Sequence, residues 1–442
     1  MRNLQNHNPE FSSIRGHGRL PVARLQSDST RRRVFTLWAP LLLMILIGLT
    51  ACKEEVQISG EDREFEENLK TQLIEAQEGT VIRLPAGTFQ LTGSLSLKQN
   101  GVTIRGAGID QTILNFSRQT VGSEGLTVNA NDFTIEDLAI EDTKGDALKV
   151  NGGKNITIRR VRTEWTNGPD EDNGAYGIYP VQCENVLIEE SVAIGASDAG
   201  IYVGQSTQII VRNNRAEYNV AGIEIENSTF ADVYNNVATK NTGGILVFDL
   251  PDLPVQGGQN TRVFKNEVID NNTDNFAPSG NIVGRVPTGT GMMILANDNI
   301  EIFENIIQNH KSVSIAVVSY YLTEEEIKDE DYDPIPEGIY IHDNKIENSG
   351  FDPTGGSSFQ SKKIITALSL KIGTPFPAIL YDGVVDESKL VDGKLPDELR
   401  ICVENNGDAE FIDLDAANDF SNTIRNPEAN RCAHARLQPV SL

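Results

Sequence analysis

Two tyrosines and a lysine of this chain carry groups, phenols and an ammonium, that can give or take a proton. Tyr176 and Tyr179 lie in Ala175-Tyr-Gly-Ile-Tyr-Pro-Val181, and Lys149 lies in Ala147-Leu-Lys-Val150. General acid–base work needs a donor and an acceptor of protons placed around one reacting atom, and charge stabilisation beside it. The two phenols and the ammonium offer that set. A second group suits binding. Tyr202, Asp198 and Gln205 occur in Ser197-Asp-Ala-Gly-Ile-Tyr-Val-Gly-Gln205, Glu224 and Glu226 in Gly222-Ile-Glu-Ile-Glu226, and Phe248 closes Gly244-Ile-Leu-Val-Phe248. Aromatic faces stack on sugar rings, while carboxylates and amides bond to hydroxyls. A solvated sheet face would explain any one of these residues; only the line of them argues for a groove.

Other residues offer less. Asp170 and Asp172, in Pro169-Asp-Glu-Asp-Asn-Gly174, present carboxylate oxygens of the kind Ca²⁺ takes, but without the spacing of a defined calcium loop. A solvated turn is the competing reading. No CxxC motif or histidine cluster suggests zinc, and Met, His and Cys do not gather as copper ligands would. His310, beside Asn309, is expected at a solvent-facing turn. Cys183 reads as a small buried hydrophobe. Cys402 and Cys432 bracket the tail and are available to pair in an oxidising compartment.

The elements that must position these residues repeat. Ile209-Ile-Val211-Arg-Asn-Asn214 returns as Ala231-Asp-Val233-Tyr-Asn-Asn236, and the final Asn returns at Asn266, Asn305 and Asn344. The shortest repeats are about 22–23 residues, the mark of a β solenoid. The repeated Asn is expected to form a structural ladder that satisfies turn backbone groups. Between these phrases runs a second series of short strands, in which Ile178, Ile201, Ile223 and Ile245 should point inward. Lys149, Tyr179, Tyr202, Glu224, Leu246 and Met293 then form one outward column. Asn151, Val181, Gly204, Glu226, Phe248 and Leu295 form another. Insertions at 165–175, 249–260, 271–290 and 320–337 should rise beside these columns as walls.

The fold expected is all-β: a single-stranded right-handed parallel β-helix over 65–350 with an N-terminal capping helix. That helix is read from Phe65, Leu69, Leu73 and Ile74. An irregular C-terminal extension at 351–442 packs on or ends the coil, and Leu368-Ser-Leu-Lys371 within it is read as a strand. Upstream, 1–51 reads as a signal peptide and 52–64 as a tether: Arg31-Arg-Arg33 precedes an apolar run over 34–49. Removing 1–51 leaves 31 Lys and Arg against 61 Asp and Glu, a formal charge of about −30. Such a field argues against a nucleic-acid partner.

Leu49-Thr-Ala-Cys52 resembles a bacterial lipobox, which implies acylation of Cys52, and Lys53 implies sorting to an outer membrane, facing the periplasm or exported. The opening Gly79-Thr-Val-Ile-Arg-Leu-Pro-Ala-Gly87 resembles the start of pectate-lyase-like right-handed parallel β-helices. Tyr176-Gly-Ile-Tyr-Pro-Val181 resembles the active-site segment of mannuronan C5-epimerases. Tyr179 stands at that family's Asp and Val181 at its His, so catalysis by resemblance would rest on Tyr176, Tyr179 and Lys149. With Ile401-Cys-Val-Glu-Asn-Asn-Gly407, the whole resembles a bacterial family of exported parallel β-helix repeat lipoproteins. Three functions remain open: recognition of a polysaccharide, lyase or C5-epimerase action on a uronic-acid polymer, and an envelope scaffold for a protein partner. No cofactor is implied beyond a possible Ca²⁺.

Overall fold

The structure, a computed structural model, describes residues 59–356 and 359–442. The signal-like segment and Cys52 lie outside them. Helix α1, Gly60–Glu75, opens the fold, and its N-cap Ser59 accepts from the Asp62 backbone N–H. It therefore begins inside the expected tether. Leu69 and Leu73 are buried as expected, but Ile74 is 80% exposed. Glu66 instead points into the coil, where its carboxylate accepts from the backbone N–H groups of Thr92 and Gly93. The helix thus satisfies backbone donors that the first coil would otherwise leave bare.

Behind α1 the chain winds into parallel strands grouped as a 19-stranded and a 12-stranded sheet. The larger sheet holds two ladders joined through the long strands Phe133–Glu141 and Lys154–Glu164, each of which pairs in both. The smaller sheet carries the short strands around Ile178, Ile201, Ile223 and Ile245, all of which face a continuous apolar core. Alternation puts every second residue inside.

Stacked asparagines bind one coil to the next. Asn214 Nδ2 donates to Asn236 Oδ1 at 3.0 Å, and the pattern continues through Asn266, Asn305 and Asn344 to Asn406. The residue before each rung, from Asn213 to Asp343, has φ between 53° and 56°. Asn tolerates that left-handed turn best, though Lys265 and Glu304 also adopt it. A second buried ladder joins Asn219, Asn241 and Asn271 and ends 3.3 Å from His310 Nε2. The expectation of a solvent-facing His310 is thereby corrected. The ring has no exposure, and burial pushes its pKa down to about 3, leaving it neutral.

The tail departs from the sequence reading. Leu368-Ser-Leu-Lys371 is not a strand; it belongs to helix α2, Phe359–Ile372. The strands Ile379–Tyr381, Cys402–Glu404 and Phe411–Asp413 extend both sheets past 350. Cys402 and Cys432 form a disulfide, and Cys183 is buried and unpaired. The last residues run back along the larger sheet, where Leu437 N donates to Glu301 and Val440 N to Asp232. They lie beside a stack of Tyr234, Phe264, Phe303 and His342 with ring centroids 4.8–5.3 Å apart.

Candidate functional site

The outward column of the smaller sheet changes character along its length. Pairing places Ser96, Thr127, Lys149 and Tyr179 in line, followed by Tyr202, Glu224, Leu246, Met293 and Ala316. Ser96 is exposed, while Thr127, Lys149 and Tyr179 are half-buried. From Tyr202 onward the column is covered except at the half-buried Met293: Tyr202 is 3% exposed, Glu224 1% and Leu246 fully enclosed. The inserted segment at 271–290 and helix α2 lie over it. Val283, Val286, Ile365 and Leu368 pack with Leu246, Phe248 and Leu295 into a second apolar core. An open shelf running from residue 149 to 248 is therefore not what the chain builds. The insertions serve as a roof over the downstream half as well as walls.

At the edge of that roof the tyrosines meet. The Tyr176 ring lies 4.4 Å from that of Tyr179 and 4.6 Å from that of Tyr202, and Tyr179 meets Tyr202 edge-on at 5.0 Å. Small residues make room for them, since Tyr176 is in register with Ala199, which pairs in turn with Ala221 and Gly243. Lys149 Nζ sits 4.6 Å from the Tyr179 ring centroid and 3.6 Å from Asp146 Oδ2. The sequence thus names Tyr176, Tyr179, Tyr202 and Lys149 as neighbours of one another, and the structure brings all four together.

Carboxyl groups press against the rings from within. The Tyr202 hydroxyl donates to Glu226 Oε1 at 2.6 Å, and Asn281 Nδ2 donates to Asp198 Oδ2 at 3.1 Å. Neither carboxylate oxygen of Glu224 has a hydrogen-bond partner. Burial, reinforced by the charge of Glu226, pushes Asp198 up to about 8. Burial likewise lifts Glu226 to about 7, against the pull of the Tyr202 hydroxyl. Glu224 is driven well above its ordinary value by burial and then by Glu226 and Asp198. The phenols follow the same field. Burial and nearby acids push Tyr179 up to about 12 and Tyr176 well above its usual range. Both stay protonated near neutral pH, as hydrogen-bond donors rather than bases.

Three contributors are invisible in the motif. Asp146 precedes its strand, Asn281 comes from an insertion, and Asp249 acts on Glu226 from the next turn. Gln205 stands apart at a left-handed turn, where its Oε1 accepts from Gln182 Nε2 at 3.2 Å. Phe248 is buried under α2 beside an apolar cavity of about 70 Å³. Asp170 and Asp172 form an exposed turn closed by Asp172 N donating to Asp170 Oδ1. Among the described residues, the carboxylates that gather within 4.8 Å of one another are those of Asp298, Asp333 and Glu337. Lys389 binds two of them, at 2.8 Å from Asp333 and 2.7 Å from Glu337.

An open groove of about 810 Å³ is lined in part by Asn281, whose side chain also bonds Asp198 beside the tyrosines. Asp170 and Glu171 line it from the first insertion, Asp274 to Arg285 from the third, Glu325 from the fourth, and Phe359 from α2.

The family model for the right-handed β-helix region matches residues 100–257, the stretch that carries every tyrosine and buried acid of this site. The chain is a right-handed parallel β-helix. Among solved structures, this β-helix is similar to the A-module of mannuronan C-5 epimerase AlgE4 from Azotobacter vinelandii. That match has 19% identity over 68% of this chain and 86% of that one, with a TM-score of 0.47. It is also similar to the periplasmic alginate epimerase AlgG, at 14% identity over 65% and 78% and a TM-score of 0.41. A third is alginate lyase AlyF-OU02, at 14% identity over 74% and 77% and a TM-score of 0.41. No curated protein sequence matches the chain.

Proposed function

We propose that this protein is an envelope lipoprotein, anchored through Cys52 on the periplasmic side of an outer membrane, that binds a polysaccharide. Binding is centred on the half-buried Tyr176 and Tyr179 and extends into the groove lined by Asn281. The observation that carries this reading is the tyrosine cluster at the edge of the roof. Two rings remain half-buried rather than enclosed, a charged pair stands beside them, and Asn281 links Asp198 at their side to an open groove. Sugar recognition needs that combination of apolar faces and fixed polar groups.

The test is retention on immobilised glycans with unfolding followed in parallel. Tyr179→Ala should weaken binding at least tenfold while the protein still unfolds in one cooperative transition. Unaltered retention would end the reading.

Catalysis is a second reading, favoured by Asp198 and Glu226, which burial lifts to about 8 and about 7, the range suited to a general acid near neutral pH. It includes the lyase or C5-epimerase alternative with Tyr176, Tyr179 and Lys149. The protonated phenols suit them to proton donation there, with another group as base. Overnight incubation with each bound glycan, read by ultraviolet absorbance for unsaturated uronate and by NMR for inversion or cleavage, separates binding from turnover.

A further inference from the structure

The titratable groups around the tyrosines are nearly all acids. Asp146, Asp198, Glu224 and Glu226 surround them, and the cation in contact is Lys149. Lys149 already shows how the site treats an ammonium, with the Tyr179 ring face on one side and a carboxylate on the other. Behind it, Glu224 is 1% exposed and both its oxygens lack hydrogen-bond partners. A carboxylate so placed calls for a proton or a cation nearby. Asp198 has Asn281 and the Tyr176 hydroxyl as side-chain partners, and Glu226 has Tyr202.

The groove continues the same sign. Asp170, Glu171, Asp274 and Glu325 line it against Arg285, which is itself paired with Glu325. An oligouronate laid along these residues would set carboxylate against carboxylate. A chain bearing amines would complement them.

We propose that the groove selects a saccharide carrying free amino groups, one ammonium being held between the Tyr176–Tyr179 rings and the carboxylates of Asp146, Asp198 and Glu226. This deepens the polysaccharide-binding reading and rests on it.

The experiment is calorimetric titration of the full chain in detergent with four probes: a β-linked glucosamine tetramer, its fully N-acetylated counterpart, a tetrauronate and tetralysine. The glucosamine tetramer should bind at least tenfold tighter than each of the other three. Asp146→Asn and Glu226→Gln should each weaken it at least fivefold. Asp397→Asn, at a side chain 93% exposed and remote from the tyrosines, should leave it unchanged. Equal binding of the N-acetylated tetramer or the tetrauronate would overturn the amine preference and leave saccharide binding standing. Equal binding of tetralysine, or an equal loss in Asp397→Asn, would reduce the effect to overall charge and overturn it too. If no saccharide in a wider panel bound, both the preference and the reading beneath it would fall.

Discussion

The outward column of the smaller sheet is built twice from one pattern and meets two environments. Upstream, Ser96, Thr127, Lys149 and Tyr179 face solvent wholly or in part. Downstream, Leu246, Ala316 and, in the neighbouring column, Phe248, Leu295 and Val318 lie beneath inserted chain and α2. Backbone alternation is the same in both halves, so strand geometry alone does not decide which residues are wet. The site sits where the halves meet. There the polar chemistry of the open half is carried one coil under the roof, and Glu224 and Glu226 are desolvated beside tyrosines. The tyrosines and their buried acids thus lie at the boundary of the cover.

Truncation under the roof should cost the most. Phe248→Ala removes a ring that is 1% exposed and should cost about 3–5 kcal/mol, read by denaturant unfolding. A cost below about 1 kcal/mol would mean that the roof does not depend on this contact.

Next in size is the pH response of the boundary acids. Asp198 faces Glu226, Asp146, Asn281 and Tyr176, and its folded value of about 8 lies above the ordinary 3.8. Glu226 faces Tyr202 and Asp249 and lies at about 7 against 4.5. Between about pH 4 and 8 the folded state therefore holds protons that the unfolded chain releases, so these groups destabilise the fold as pH rises. Asp198→Asn should gain stability relative to the parent as pH climbs through that window, the gap widening steadily toward the alkaline end. A gap that stays constant from pH 4 to 9 would show that Asp198 ionises normally. A smaller effect is expected for Tyr202→Phe. Loss of the hydroxyl that donates to Glu226 should cost about 1–2 kcal/mol and move the Glu226 titration, followed by NMR, further upward.

Sequence and structure agree wherever a repeat is short and regular. The ladder through Asn214, Asn236 and Asn266 is legible because each Asn follows two inward residues at fixed spacing. The ladder through Asn219, Asn241 and Asn271 escapes because an insertion follows it and its last member is His310. Helix α2 escapes because Leu368-Ser-Leu alternates as a strand does, whereas Ile364, Ile365, Leu368 and Ile372 recur at helical spacing and lie in or against the second core. The neighbours of the site were legible as a column, since register follows from the repeat. Their burial was not, because it depends on where long insertions fold back. One signal was present: Phe248, Leu295 and Val318 are apolar at outward positions, which a bare sheet face would not favour.

The smallest change in stability should come from Lys149, and it sharpens the comparison most. Its side chain is 29% exposed, and its ion pair with Asp146 is long at 3.6 Å. Lys149→Met keeps the stem over the Tyr179 ring and removes the charge, so unfolding should shift by no more than about 1 kcal/mol. Binding should respond in the opposite sense. If the ammonium of Lys149 occupies the place of a ligand amine, its removal frees Asp146 and the ring face, and the glucosamine tetramer should bind severalfold tighter. If Lys149 is instead a contact to the sugar, affinity for every saccharide should fall together. An unfolding shift as large as that of Phe248→Ala would place Lys149 with the covered half, and the boundary would then lie one coil upstream of Tyr179.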